Sequence, residues 1–196
     1  MAAVLLAAAP SVTFDLSGNG AAWHAVVSKS AIGKSNGTTF YRWAISVFNG
    51  SALEYQSPRD GGPLTKVTKA HGAEMWFPAQ EASIVGAASL MGTKAQQLVV
   101  ASHETGADCG AATITVFGVD GASGKVLPMV TVRNGCELTA KIVGTSIQLS
   151  GPYYNASAAM CCPTKPQATA TLRYAGGKWT ESPQYYALYP NAFPSF

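Results

Sequence analysis

The closest grouping of an imidazole with carboxylates in this chain is His103, Glu104 and Asp108, just before Cys109. A histidine base oriented by an acid suits hydrolysis. His24 and His71, with Asp60, Asp108 or Asp120, offer the same chemistry from distant positions. Ordered catalytic spacings are missing. His103-Glu104 continues as Thr105-Gly106-Ala107, without the second histidine of a zinc-protease helix, and there is no G-x-S-x-G elbow. Gly33-Lys34-Ser35 has Ser28 where a phosphate loop needs its first glycine. The 10 acids are scattered and give no evident pair for glycoside hydrolysis. The leading expectation is therefore a non-enzymatic protein, binding or envelope-structural, with no cofactor. A small hydrolase centred on His103, Glu104 and Asp108 is the alternative.

Two other sets of residues carry chemical meaning. The cysteines Cys109, Cys136, Cys161 and Cys162 contain no C-x-x-C pair and lie far from the histidines, which argues against zinc. An even count in a Ser/Thr-rich chain reads as disulfides in an oxidising compartment. Cys109–Cys136 is the favoured pair, with Cys161 and Cys162 either bridged to each other or free. The alternative splits the adjacent cysteines between Cys109 and Cys136. The second set is aromatic. Tyr153, Tyr154, Trp179, Tyr185 and Tyr186 crowd the last part of the chain, where such side chains bind sugars, peptides or proteins or else cover a β core.

Composition narrows the classes. Charged residues make up 12% of the 196 residues and the net charge is +3. A typical domain carries about 25% charged residues. Disordered tails, charged coiled coils and nucleic-acid binders all need denser charge, so no nucleic-acid partner is expected. Partners stay unknown, an envelope protein or a glycan being the closest fit. Residues 1–10, with an apolar run and Ala7-Ala8-Ala9, resemble the end of a secretory signal. No stretch reaches the about 18 apolar residues of a membrane helix. Location outside the cytoplasm, periplasmic or secreted, is expected.

The elements that must position these residues read as strands. Asn36-Gly37, Asn49-Gly50, Asp60-Gly61, Asp120-Gly121 and Asn134-Gly135 punctuate short β-branched and aromatic runs. Phe40 to Phe48, then Leu53 to Tyr55, flank one such turn. Met129 to Arg133 and Cys136 to Val143 predict a hairpin across Asn134-Gly135, followed by a strand over Ser146 to Ser150. Ala168 to Tyr174 and Lys178 to Glu181 predict another across Gly176-Gly177. Ser83 to Gly86 reads as a strand. No segment sustains a 3.6-residue apolar period, so the fold class is all-β.

A faint repeat pairs His24 to Ser28 with Leu98 to Ser102, and Ile45 to Phe48 with Ile114 to Phe117. It predicts two blade-like antiparallel meanders packed together, propeller-like or as a sandwich. The single domain spans 11–196. Unit one covers about 13–90 and unit two about 91–151. A Cys-Cys-Pro segment and aromatic tail, including a hairpin, fill 152–196.

Two resemblances accompany this pattern. Asp15-Leu-Ser-Gly-Asn-Gly20 with the following strand resembles the D-x-D-G-D-G loop of integrin-type (FG-GAP) propeller blades. That family binds calcium through this loop, which here implies Asp15, Ser17 and Asn19 as ligands. Calcium needs six to eight oxygens, several of them charged. One carboxylate is too few, so no metal is the expectation and a local turn the structural one. Met160-Cys-Cys-Pro-Thr164, followed by the aromatic hairpin to Trp179, resembles the C-terminal part of bacterial LppP/LprE-type envelope lipoproteins. That resemblance implies an extracytoplasmic protein with no established activity. The lipid-bearing cysteine of that family has no counterpart near the start of this sequence.

Overall fold

The computed structural model describes residues 11–35, 38–57, 66–70, 73–76, 80–104, 112–155 and 163–191. Residues 1–10 and Cys109, Cys161, Cys162, Asp60, His71 and Asp108 lie outside them, as does the side chain of Glu104. The described residues are strands and turns throughout, so the all-β expectation holds. Among them no helix is long and apolar enough to cross a membrane.

Three antiparallel sheets follow one another along the chain, and none closes into a barrel. The first runs β1 (Ser11–Phe14), β2 (Trp23–Ser35), β3 (Thr38–Asn49), β4 (Ala52–Ser57), in that order. A two-stranded hairpin, β5 (Lys66–Ala70) and β6 (Ala73–Trp76), comes next. The second sheet holds β7 (Gln80–Ala88), β8 (Gln97–Glu104), β9 (Ala112–Val119) and β10 (Val126–Asn134). The third holds β11 (Thr139–Val143), β12 (Ser146–Tyr153), β13 (Lys165–Ala175) and β14 (Lys178–Ser182). The last strand, β15 (Ala187–Pro190), returns to the second sheet and pairs with β10. The anticipated hairpin of the tail is β13–β14, and β11 and β12 extend it into a third meander beyond the two expected.

The second sheet is the middle layer. Its strand β9 is buried on both faces, which explains the near-continuous apolar run Ile114-Thr-Val-Phe-Gly118. Alternation sends its side chains to two different cores. Ile114 and Val116, with Val99, Val130 and Val132, meet Ile147, Leu149 and Leu172 of the third sheet. Phe117, with Leu98 and Val100, meets Trp23, Val27, Val47 and Tyr55 of the first. The Tyr55 and Phe117 rings lie 5.0 Å apart across that contact. A buried Leu or Ile at full cover contributes about 1.5–3 kcal/mol. A layer with two apolar faces therefore anchors both neighbours.

The similar segments occupy equivalent places in the first two sheets. His24 pairs with Phe48 across β2–β3, and Leu98 pairs with Phe117 across β8–β9. The loops before β2 and β8 also sit together. The Asp15 N–H donates to Gln96 Oε1 at 2.7 Å, and the Gln96 N–H to the Asp15 carbonyl at 2.8 Å. Gly18, with φ of 72°, lies so close to Ala95 that a Cβ would stand 2.6 Å from its backbone nitrogen.

One expected element is corrected. Asn134-Gly135 does not close a hairpin. Its two sides belong to different sheets, with β10 paired to β9 and β15 and β11 paired to β12. A two-residue type I′ turn needs positive φ at both central residues, and neither Asn134 nor Gly135 has it. Gly176 and Gly177 do, at 58° and 80°, and they close β13–β14 as expected.

Candidate functional site

At Asn134 the chain leaves the middle sheet and crosses to the third. Asn134 Nδ2 fixes that crossing by donating to the Glu137 carbonyl at 3.1 Å and the Pro152 carbonyl at 2.9 Å. Cys136 is buried within the crossing and is one half of a disulfide. The third sheet comes closest here through Gly151, whose Cα faces the Glu137 carbonyl with no space for a side chain. Beyond it β12 ends at Tyr153, Tyr154 follows, and the Asn155 N–H donates to Thr164 Oγ1 at 3.0 Å.

The return of the chain from β14 to β15 completes the place. Glu181, on β14, accepts the N–H groups of Tyr185 at 3.0 Å and Tyr186 at 3.1 Å on Oε1. These bonds hold the turn that presents both tyrosines. Tyr186 is buried and donates its hydroxyl between the carbonyls of Gly151 (3.0 Å) and Ala168 (3.2 Å), two paired residues of β12 and β13. Burial pushes its phenol up to about 12, with the nearby Glu181 charge adding to the shift.

Between these segments is a cavity of about 270 Å³. Arg133, Asn134 and Gly135 form one side, Tyr154 another, and Tyr185, Tyr186 and Ala187 the third. Tyr185 is braced from several directions. Its ring packs on Tyr153 at 4.9 Å and edge-on to Tyr186 at 6.3 Å. The Lys165 ammonium lies 4.7 Å from the ring centroid and donates to the Tyr185 hydroxyl at 2.8 Å. Rings fixed by packing lose little freedom when a ligand meets them.

The expected aromatic set is thus mostly brought together. Tyr154, Tyr185 and Tyr186 line the cavity and Tyr153 supports it. Trp179 does not join them. It lies against Tyr174 at 5.4 Å and packs on the core between the second and third sheets. Its register partner on β13 is Tyr174, whereas the cavity lies past Ser182, at the other end of β14. Arg133 and Asn134 are additions. A charged residue closing the run Met129 to Arg133 looks like any strand end, so no local signal marked it.

Of the hydrolase constellation, Asp108 and the side chain of Glu104 lie outside the described residues, and the described histidines and Asp120 lie apart. His103 is exposed at the end of β8, paired with Ala112. Asp120 follows the far end of β9, roughly 25 Å along the strand at about 3.3 Å per residue. It holds the β9–β10 turn by accepting the Ser123 N–H at 2.9 Å. His24 is stacked on Phe48 at 4.8 Å, on the first sheet.

The Asp15 loop is a self-contained turn. Asp15 accepts the Gly18 N–H on Oδ1 and the Gly20 N–H on Oδ2, each at 2.7 Å. Asn19 Oδ1 accepts the Ser17 hydroxyl at 2.6 Å and the Ala21 N–H at 3.0 Å. Ser17 Oγ in turn accepts the Trp23 indole N–H at 3.2 Å. The Gly20 N–H, aided by those of Gly18 and Asn19 and by the Ser17 hydroxyl, holds the Asp15 carboxyl below its ordinary range. Both carboxylate oxygens face backbone donors, the arrangement of a turn. Among the described residues no group of three His, Cys, Asp or Glu is placed to hold a metal ion.

Glu181 gives a pH-dependent prediction. Burial raises its pKa above the ordinary carboxyl range, against the lowering effect of the two tyrosine N–H groups. A raised carboxyl favours the folded state most when protonated. That stability is full below the unfolded value and is lost as pH rises through the folded one. Glu181→Gln keeps an acceptor oxygen for both N–H groups and removes the charge. The variant should melt at or above the wild-type temperature at pH 7, with the difference shrinking toward pH 4. Thermal unfolding from pH 4 to pH 8 checks this, and a variant clearly less stable at pH 7 would contradict it.

Comparison of the chain with protein-family models, curated proteins and solved structures finds no match.

Proposed function

We propose that this is an exported binding protein, periplasmic or secreted, that seats a small ligand in the tyrosine-walled cavity. The observation that carries the proposal is the convergence of Tyr154, Tyr185 and Tyr186 on one cavity from segments far apart in sequence. Aromatic side chains exposed to a concave surface give contact area with little loss of freedom. The disulfide at Cys136 supports an oxidising compartment, as does the signal-like start. The non-enzymatic reading rests on the described residues that line the cavity, tyrosines, an asparagine and an arginine, which bind and orient more readily than they exchange protons at neutral pH.

The test is a ligand screen by saturation-transfer NMR, using monosaccharides, amino acids and small aromatic compounds. At least one should bind, and Tyr154→Ala should weaken it about tenfold, the value of one ring contact. Gly135→Phe is the second variant. A Cβ at Gly135 meets nothing within 4 Å, so the added ring occupies the mouth without clashing at its root. Binding untouched by both variants, or no binder at all, would overturn the proposal. Cell fractionation with thiol labelling of Cys136 tests export; cytoplasmic protein with a reduced Cys136 would defeat that part.

A further inference from the structure

We infer that the outer face of the first sheet is a dimer interface, occupied by the same face of a second copy of this chain. The inference stands apart from the cavity, which the second and third sheets form. The internal repeat carries it. In the first sheet His24 pairs with Phe48 and Val26 with Ser46. In the second, Leu98 pairs with Phe117 and Val100 with Thr115. The registers match, so the face that holds His24, Val26 and Phe48 is the counterpart of the one that holds Leu98, Val100 and Phe117. In the second sheet that face receives a neighbouring sheet: its three apolar residues are buried with Trp23, Val27 and Tyr55 of the first. Among the described residues, His24, Val26 and Phe48 belong to neither core. Leu53, the partner of Phe48 on β4, is 52% exposed. The first sheet thus carries a receiving face with nothing seated on Leu53.

The two ends of the stack differ. Stacked repeats end in units whose outer face is polar. The third sheet has such a face: Lys141, Gln148, Thr169 and Arg173 are exposed and alternate with its core residues. The first sheet ends the other side with Val26, Phe48 and Leu53. The third sheet of a second copy does not suit that face, because seating it would take Lys141 and Arg173 out of water against apolar side chains. Such a head-to-tail contact would also continue into filaments. The first sheet of a second copy does suit it. Apolar side chains meet apolar side chains, the contact is isologous and closes at two chains, and a polar third sheet then stands at each end.

The size of the face agrees. At about 4.8 Å between strands and about 3.3 Å per residue, its four-stranded part spans roughly 20 Å by 20 Å. β2 and β3 stay paired beyond it to Ser35 and Thr38, which adds about 25 Å of two-stranded ribbon. Together they offer on the order of 600 Å² of projected area per copy, against about 800 Å² per partner in a specific interface.

Sedimentation of the full chain from about 1 to about 100 µM tests this, a range that brackets micromolar association. A dimer is expected, with no larger species. Leu53→Glu brings like charges into the contact and should weaken the dimer at least about tenfold. The side chain is half exposed in one chain, so the variant should keep the wild-type melting behaviour of the monomer. Gln56→Lys, at an exposed position paired with Ser46 on the same face, is the second variant and should act in the same direction. Val143→Glu is the control. Val143 is 51% exposed but belongs to the third sheet, so its substitution should leave the dimer intact. A chain that stays monomeric at the highest concentration would overturn the inference and leave the face to a different partner. Species that keep growing with concentration would overturn the two-fold closure. A dimer untouched by Leu53→Glu and Gln56→Lys would overturn the choice of face.

Discussion

Gly151→Ala is expected to destabilise the protein by about 3 kcal/mol, the upper end for an added methyl in a packed site. A Cβ at this position would lie 2.3 Å from the Glu137 carbonyl oxygen, 3.3 Å from its carbon and 3.4 Å from the Leu138 Cα. All three are backbone atoms, so no side chain can rotate away. The φ of Gly151 is not in the left-handed region, which leaves the close approach as the sole reason for glycine. The approach exists because residues 135–138 must cross from the middle sheet to the third directly over β12. Asn134 clamps the crossing to Pro152 on the same strand. Either the crossing or β12 must move, and both border the cavity. Urea unfolding measures the effect. Gly135→Ala and Gly121→Ala are the controls, because a Cβ there meets nothing within 4 Å. They should stay within about 0.5 kcal/mol of wild type. A Gly151→Ala protein as stable as these controls would refute the argument.

The strands were legible because each carries its own evidence. Thr169, Thr171 and Arg173 alternate with Ala170, Leu172 and Tyr174, and the structure buries Ala170 and Leu172. The glycine pair after Ala175 has the positive φ values that its hairpin needs. Pairing was less legible. Asn134-Gly135 has the composition of a tight turn, and the runs around it have strand character. Strand character does not name a partner. Arg133 pairs with Thr113 on one side and Ala187 on the other, residues that lie far away along the chain. The third meander was obscured for the same reason. The hairpin of the tail was visible, but its continuation into β12 and β11 depends on Gly151 meeting Ala168 across a segment rich in small residues.

The candidate site was half visible. Crowding of tyrosines near the end of the chain pointed to Tyr153, Tyr154, Tyr185 and Tyr186, and composition sufficed for that. Trp179 has the same composition signal and a different fate, since strand register carries it to the opposite end of β14. Arg133 carried no signal, because its role arises only when β15 and the end of β12 come alongside β10. The low charge density gains meaning here. Charged residues make up 12% of the chain, and among the described residues that line the cavity Arg133 is the one that carries a charge at neutral pH.

Tyr186 should be the most costly side chain of the cavity to remove. Its ring belongs to the core between the second and third sheets, beside Leu149 and Ala170, and is 4% exposed. Its hydroxyl donates to the Gly151 and Ala168 carbonyls, which sit opposite each other where β12 and β13 shift register before Tyr153. Tyr186→Ala removes both and leaves a void under the cavity floor, for a loss of about 3–5 kcal/mol. Tyr186→Phe keeps the ring and isolates the hydroxyl. The two carbonyls then lose a buried donor, at about 1–3 kcal/mol. The two variants should also differ at the cavity. The phenylalanine variant keeps the wall and should bind ligand within a few-fold of wild type, because the hydroxyl points into the sheet. The alanine variant should lose binding, since Tyr185 loses its edge-on neighbour and the turn held by Glu181 loses its anchor. Urea unfolding gives the stabilities, and titration with the ligand found by screening gives the affinities. A Tyr186→Phe protein that is fully stable but cannot bind would reverse the assignment, making the hydroxyl a ligand contact instead of a tie between strands.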